Sequence, residues 1–325
     1  MFEPEALLVL SHLNIQNANA ISSPMLWGFP SPTAFLGFAH ALHRIVRPAL
    51  ALSLDGVGIV CHQFEPQASH PAGKRTQVFH LSRNPFGSDG KPPALVEEGR
   101  VHLDVSLVIG VRGESLFGGT PIEELAAQIG EAASSMRVAG GTLVPHADTK
   151  SAVAAALHLL PGSEDEELQM MRRLRRRLLP GFALVSRERL LEDRYQELIA
   201  GSPGATLLDA FLDLASLNID PPQEVSSGAS TEWHVRRRPG WLVPISTGFH
   251  AISQLHAPGT VQNSRDRVTP FRFVEGVYTI GEWKSPHRVK DLRQLLWTYS
   301  AEPDEGLYRC TTPYFSDLSS PAKGQ

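Results

Sequence analysis

Cysteine is nearly absent: Cys61 and Cys310 are the two thiols in a chain of 325 residues. They are far apart and in no ligand-like spacing, which argues against a disulfide framework or a cysteine-built zinc site and fits a reducing compartment. No stretch approaches the roughly 20 apolar residues of a membrane span. The opening MFEPEALLVLSHLNIQ has neither the basic leader nor the small-residue cleavage site of a secretory signal. We expect a soluble, cytoplasmic protein with no membrane partner. HExxH, GxSxG, CxxC, GxxxxGK[ST] and GxGxxG are all missing, so zinc-protease, serine-hydrolase, thiol-redox and nucleotide-dependent chemistries lack their motifs. We expect no cofactor, no metal and no catalytic residue.

Lysine is also scarce. Of thirty basic residues six are lysine and twenty-four arginine. Arginine suits bidentate phosphate contact and stacking, although the codon usage of a GC-rich genome explains the same bias. Net charge is −4 and the isoelectric point about 6.4, where a free-standing nucleic-acid binder is usually basic. Composition leaves RNA binding open.

What is present is an ordered alternation of elements. Residues 6–16 predict a strand with Leu7, Val9, Leu13 and Ile15 on one face, and His12, Asn14 and Gln16 where the other face turns polar. Ser31 caps a helix over 32–46 that begins at Pro32. It points Phe35, Phe38, Ala39, Leu42 and Ile45 inward and Leu36, His40, His43, Arg44 and Arg47 toward a second face. Strands follow at 57–64 and about 100–112, the latter alternating Val101, Leu103, Val105, Leu107, Ile109 and Val111. Thr120-Pro-Ile-Glu123 predicts a capping box opening a helix to about 137, and 143–145 a short fourth strand. This βαββαβ order predicts an α+β, ferredoxin-like domain over 1–146. It carries a Pro-, Gly- and Ser-rich insertion at about 66–99, either a projecting thumb or a solvated loop. A helical segment is expected over 147–217. A β-rich part over 218–325, with strands in TEWHVRRR, WLVPIST and FRFVEGVYTIGEW, is expected to pack back on the first domain.

Candidate binding residues cluster in loops. Asn14, Gln16, Asn17, Asn19, Trp27, Phe29 and Ser31 join amides, aromatics and a helix N-terminus, a set suited to base edges, base faces and phosphate. The same residues also suit a structured loop with self-satisfied amides and core-covering rings. Arg265, Arg267 and Arg272 form a second group and Arg236-Arg237-Arg238 a third; in the insertion we single out Arg83 and Phe86. Segment 163–178, SEDEELQMMRRLRRRL, matches a helix dipole or forms a basic patch. Strand 100–112 lacks the stacking aromatics of an RNA-recognition sheet on its face His102, Asp104, Ser106, Val108, so loops and edges are expected to carry any RNA contact.

The strings LNIQNANAISSPMLWGFPSPTAFLGFAHALHR, HLSRNPFG, VEEGRVHLDVSLVIGVRG and VPISTGFHAISQLHAPGTVQNSRDRVTPFRFVEGVYTIGEW resemble the second Csy subunit of type I-F CRISPR complexes, a Cas-five-group member of the RAMP superfamily. The resemblance spans essentially the whole chain. It implies a non-catalytic subunit that binds the 5′ handle of the crRNA, pairs with the large Csy subunit beside repeated backbone Csy subunits, and meets target double-stranded DNA through the complex. The alternative is a metal-independent RAMP endoribonuclease, with His12, or His43 with Arg44, as candidates for base and cation.

Overall fold

Alternating apolar residues carry the longest strands into the middle of one antiparallel sheet. The structure, a computed structural model, describes residues 3–74, 76–82, 86–87, 89–92, 96–145, 153–220, 234–236, 238 and 240–314. Strand β1 (Ala6–Asn19) lies beside β3 (Arg100–Arg112), which lies beside β2 (Ser53–Pro66). The alternation of β3 was readable to the residue, because Val101, Leu103, Val105, Leu107, Ile109 and Val111 are all buried on one face. Helix α1 (Pro32–Leu50) and helix α2 (Ile122–Ser134) cover that face.

Three local expectations are corrected. Ile45 is half exposed and Val46 is buried in its place. At about 100° per residue, Val46 falls within 20° of Phe35, whereas Ile45 lies about 80° away, at the margin of the apolar arc. The Thr120 capping box does not form: α2 takes Pro121 as its N-cap with no side-chain bond. Glu123 then sits one position too early to reach back. The fourth strand is β4 (Gly141–Leu143), in a hairpin with Arg137–Val138, and not 143–145.

The segment 147–217, expected to be helical, also contributes two strands, β5 (Ala154–Leu159) and β6 (Phe182–Ser186). They flank α3 (Glu164–Arg177); α4 (Glu188–Gly201) and α5 (Leu207–Ala215) follow. In β5, AAALHL has helix-forming alanines, but pairing of all six residues with β1 overrides that preference. Along the first 159 residues the labelled elements run β-α-β-β-α-β-β; β4 and β5 both pair with β1, on the side away from β3, and β2 lies beyond β3.

Strand β6 joins the two halves of the sheet. It pairs with β2 on one side and with β8 (Val274–Lys284) on the other, and β8 pairs with β7 (Trp241–Ala251). The edge is made by β9 (Thr298–Glu302) and β10 (Leu307–Thr311), giving a mixed α+β protein on an eleven-stranded sheet. Gly248 sits at a bulge in β7, where any Cβ would strike the Tyr308 carbonyl of β10. The wholly buried Trp297 bridges to Val57 of β2 and donates its indole N–H to the Leu184 carbonyl of β6 at 2.9 Å. From TEWHVRRR, His234–Val235 forms a two-residue ladder with Ile219–Asp220, while residues 231–233 and Arg237 lie outside the described residues. Within 66–99 two short ladders occur, Ala68–Ser69 with Val78–Phe79 and Leu81–Ser82 with Val96–Glu97.

Candidate nucleic-acid interface

The second face of the sheet is covered at one end and open at the other. Met171, Leu174 and Leu178 of the α3 region, with Val289, Leu292 and Leu295, pack over Leu7, Val9, Val60 and Val108. Past that cover a bulge in β1 between Leu10 and Leu13 resets the alternation, so His12 and Asn14 continue the face of Val9. A bulge in β2 between Cys61 and Gln63 presents His62 on the same face. His12 Nδ1 lies 3.0 Å from Asp104 Oδ2, and its ring stacks on His62 at 4.1 Å. Further along, Asn17, with φ of 58°, donates its backbone N–H to His102 Nδ1 at 3.3 Å, and its side-chain oxygen accepts from Gln67 Nε2 at 2.6 Å. The face is polar, partly open, and made of amides, imidazoles and carboxylates, with exposed Glu65 opposite His102.

Beside it lies a cavity of about 490 Å³ walled by Trp27, Phe29, Phe64, Phe182, Trp241 and Trp283, with His62 and Cys61 also in its lining. Trp27, Phe182 and Trp241 are each about half exposed, an apolar area too concentrated to be incidental. Phe29 stacks on Phe35 at 5.5 Å and meets Trp283 edge-on at 4.9 Å, so it belongs to the core and to the cavity wall at once. Burial pushes the Cys61 thiol up to about 12, with the charge of Asp104 acting in the same direction, which disfavours the thiolate.

The other expected residues divide sharply. Asn14 is half-buried opposite Asp104, and Gln16 is exposed opposite Thr142. Asn19 is consumed by its own turn, its amide bonding both N–H and C=O of Ile21 at 3.0 and 2.8 Å. Ser31 caps α1 by accepting the Thr33 N–H and donates to the Ser246 carbonyl of β7 at 2.7 Å. Phe86 is exposed and Arg83 lies outside the described residues.

Arg265 and Arg267 are exposed in the loop joining β7 to β8, whereas Arg272 donates to the Pro303 carbonyl at 3.0 Å and holds that loop in place. No hydrogen bond or ion pair among the described residues joins 14–33 to 259–272. Ser31 meets β7 at Ser246, and the second loop springs from Ala251, about 17 Å further along the strand. Arg236 approaches Asp213 at 3.8 Å. Burial opposes ionisation of Asp213, but hydrogen bonds from Arg238 and Arg194 hold its carboxyl below the usual value. The base-and-cation pair suggested at His43 and Arg44 is differently used: His43 Nδ1 accepts the Leu54 N–H at 3.0 Å, fastening α1 to β2.

Helix α3 is compatible with both alternatives given above, with Glu164, Asp165, Glu166 and Glu167 in its first turn and Arg175, Arg176 and Arg177 in its last. Arg175 in α3 donates to the Val289 carbonyl at 2.7 Å and is structural. Arg172, Arg173, Arg176 and Arg177 line one open surface with Gln169, and no carboxylate pairs with these four among the described residues. The spacing i, i+1, i+4, i+5 was the signal available in sequence. His62 and Asp104 were missed as a pair with His12, because two bulges bring them together and no sequence pattern announces a bulge.

A mixed α+β protein with one large antiparallel sheet, an open polar face and an adjoining aromatic cavity is the class these features define. Residues 8–310 match the family described as CRISPR-associated protein (Cas_Csy2). The chain is also 55% identical over 318 residues to the CRISPR-associated protein Csy2 of Pseudomonas aeruginosa (strain UCBPP-PA14), covering 96% of this chain and 97% of that protein. The chain belongs to the Csy2 family of CRISPR-associated proteins.

Proposed function

We propose that this chain is a non-catalytic subunit of a type I-F Csy complex that binds the 5′ handle of the crRNA and pairs with the large Csy subunit. Repeated backbone subunits adjoin it, and the assembly recognises double-stranded DNA through guide pairing. The observation that carries the reading is the junction at His62 of an aromatic-walled cavity and an open face of amides and imidazoles. Unpaired nucleotides are held by that chemistry, bases stacking on rings while amides meet their edges. The four exposed arginines of α3 add phosphate-binding charge that the chain's net charge of −4 conceals. The β1–α1–β2–β3–α2 succession, followed by strands that return to β1, supports a ferredoxin-like RAMP domain, and the ladders within 66–99 support a thumb carrying Arg83 and Phe86. The reading places the protein in the cytoplasm with the nucleic acids it serves.

One observation favours the endoribonuclease as a second reading: His12 is oriented by Asp104 through Nδ1, as a general base is. A single experiment separates the two. The chain is purified with its operon partners and incubated with repeat RNA and with scrambled RNA, without divalent metal. Intact RNA retained by the complex, with ultraviolet crosslinks to this chain at the handle, supports the binder. Clean cleavage abolished by His12→Ala supports the enzyme, and crosslinks confined to other subunits defeat both.

A further inference from the structure

We propose that His12, His62 and Asp104 form a binding site for a divalent transition-metal ion of the Zn2+ class. The three residues come from three neighbouring strands, and the backbone is irregular on both sides of β3 at one level. In β1 the bulge sets Ser11 and His12 opposite Ser106, and His12 takes φ of 49°. In β2 the bulge makes His62 the extra residue between the partners of Val105 and Asp104. Regular alternation would not place both imidazoles over the same carboxylate, and bulges re-aim side chains in this way. One donor atom from each residue lies within 4.8 Å of the others.

The hydrogen bonds around the cluster orient it for ligation. The Pro180 carbonyl can only accept, so His62 Nδ1, 2.6 Å away, carries the proton. His62 Nε2 is then an acceptor and takes the Ser106 hydroxyl at 2.7 Å, while Ser106 Oγ accepts the His12 backbone N–H at 3.0 Å. A ligating histidine is typically held in this manner, its far nitrogen tied to a carbonyl and its near nitrogen presenting a lone pair.

His12 Nδ1 stands 3.0 and 3.1 Å from the two Asp104 oxygens. That separation suits two ligands each about 2.0–2.2 Å from one Zn2+ ion. His62 Nε2 completes the set by turning from Ser106, which leaves a fourth position for Ser106 or water. Two imidazoles with one carboxylate select Zn2+, Co2+ or Ni2+ over Mg2+ or Ca2+. The side chains of His12 and Asp104 are 42% and 24% exposed, so an ion can enter. Occupancy would tie β1, β2 and β3 together and offset the charge of Asp104.

This inference is independent of the RNA reading, and its test uses no RNA. The full chain, stripped of metal and of any affinity tag, is titrated calorimetrically with Zn2+, and its melting temperature is followed with and without chelator. One equivalent is expected to bind at micromolar Kd or tighter, raising the melting temperature reversibly. His62→Gln and Asp104→Asn are each expected to weaken binding at least tenfold, while His40→Gln, on α1, leaves it unchanged. Variants are scored only after their melts in chelator show a folded chain, and His12→Gln replaces any that fails. Absence of Zn2+ binding by the wild type overturns the proposal. So does binding that survives all three site variants, or that His40→Gln removes.

Discussion

Arg187, just ahead of α4, forms a buried ion pair with Glu282 of β8, their side chains 11% and 4% exposed. The pair fastens the β6–α4 junction to the C-terminal strands, and Lys284 adds a second cation to Glu282 at 3.2 Å. Glu282→Ala strands a buried guanidinium and is expected to cost about 3–5 kcal/mol in urea denaturation. Glu197→Ala, which removes an exposed partner of Arg194, is expected to cost less than about 1 kcal/mol. Equal losses would show that the buried pair has no special weight.

Acidification is expected to destabilise the fold through His43 and His158. Burial, reinforced by Arg47 and His40, lowers the first below its usual 6.5; burial, with Arg177 and Arg173, lowers the second. The unfolded chain therefore binds more protons than the folded one near and below that pH. Stability is complete above pH 6.5 and is lost as pH falls through the depressed values. Thermal melts from pH 8 to pH 5 measure this, and His43→Gln is expected to flatten the acid side. A melting temperature that rises on acidification would contradict the assignment.

The four arginines of α3 are expected to matter for binding and hardly at all for folding. Arg172→Ala with Arg176→Ala is expected to change stability by within about 0.5 kcal/mol. The same pair is expected to weaken nucleic-acid affinity of the assembled complex and lower the salt slope by about 0.7–0.9 for each lost phosphate contact. Arg175→Ala should do the reverse, because its guanidinium holds the Val289 carbonyl. Titrations at several salt concentrations, paired with melts, separate the two classes.

The amide and arginine groups are expected to fail differently on RNA. Asn17→Ala is expected to reduce preference for the handle over a scrambled sequence with salt dependence intact. Arg265→Ala with Arg267→Ala is expected to weaken all RNAs together and flatten the salt dependence. Asn19→Ala serves as a turn control, since that amide is spent on Ile21. Wild-type binding by both sets would place the RNA on another surface.

Periodicity made much of the fold legible. The alternation of β3, the Ser31 cap and the charge-segregated α3 all follow from local pattern, and α3 appears at Glu164–Arg177 within the expected 163–178. What sequence hid was non-local. The five residues of β6 are too few to show a period, and they become a strand because β2 and β8 supply partners on both sides. The candidate site was proposed from its loops, and its centre gave no sequence signal. Asn17, Trp27 and the arginines are conspicuous by type, whereas His62 and Asp104 gain meaning through two bulges visible only in three dimensions.

The bridge between Val57 and Trp297 also sets a schedule. At roughly 5–20 residues per second, the roughly 240 residues between those partners take about 12–50 s to be synthesised. β6 is completed about halfway through that interval and Trp297 only at its end, so the outer edge of β2 is first bare and then only partly covered, and a bare strand edge invites pairing with other chains. Newly made chain is therefore most vulnerable to misassociation before its C-terminal strands leave the ribosome. Slowing elongation beyond residue 186 would lengthen that exposure without altering the finished protein.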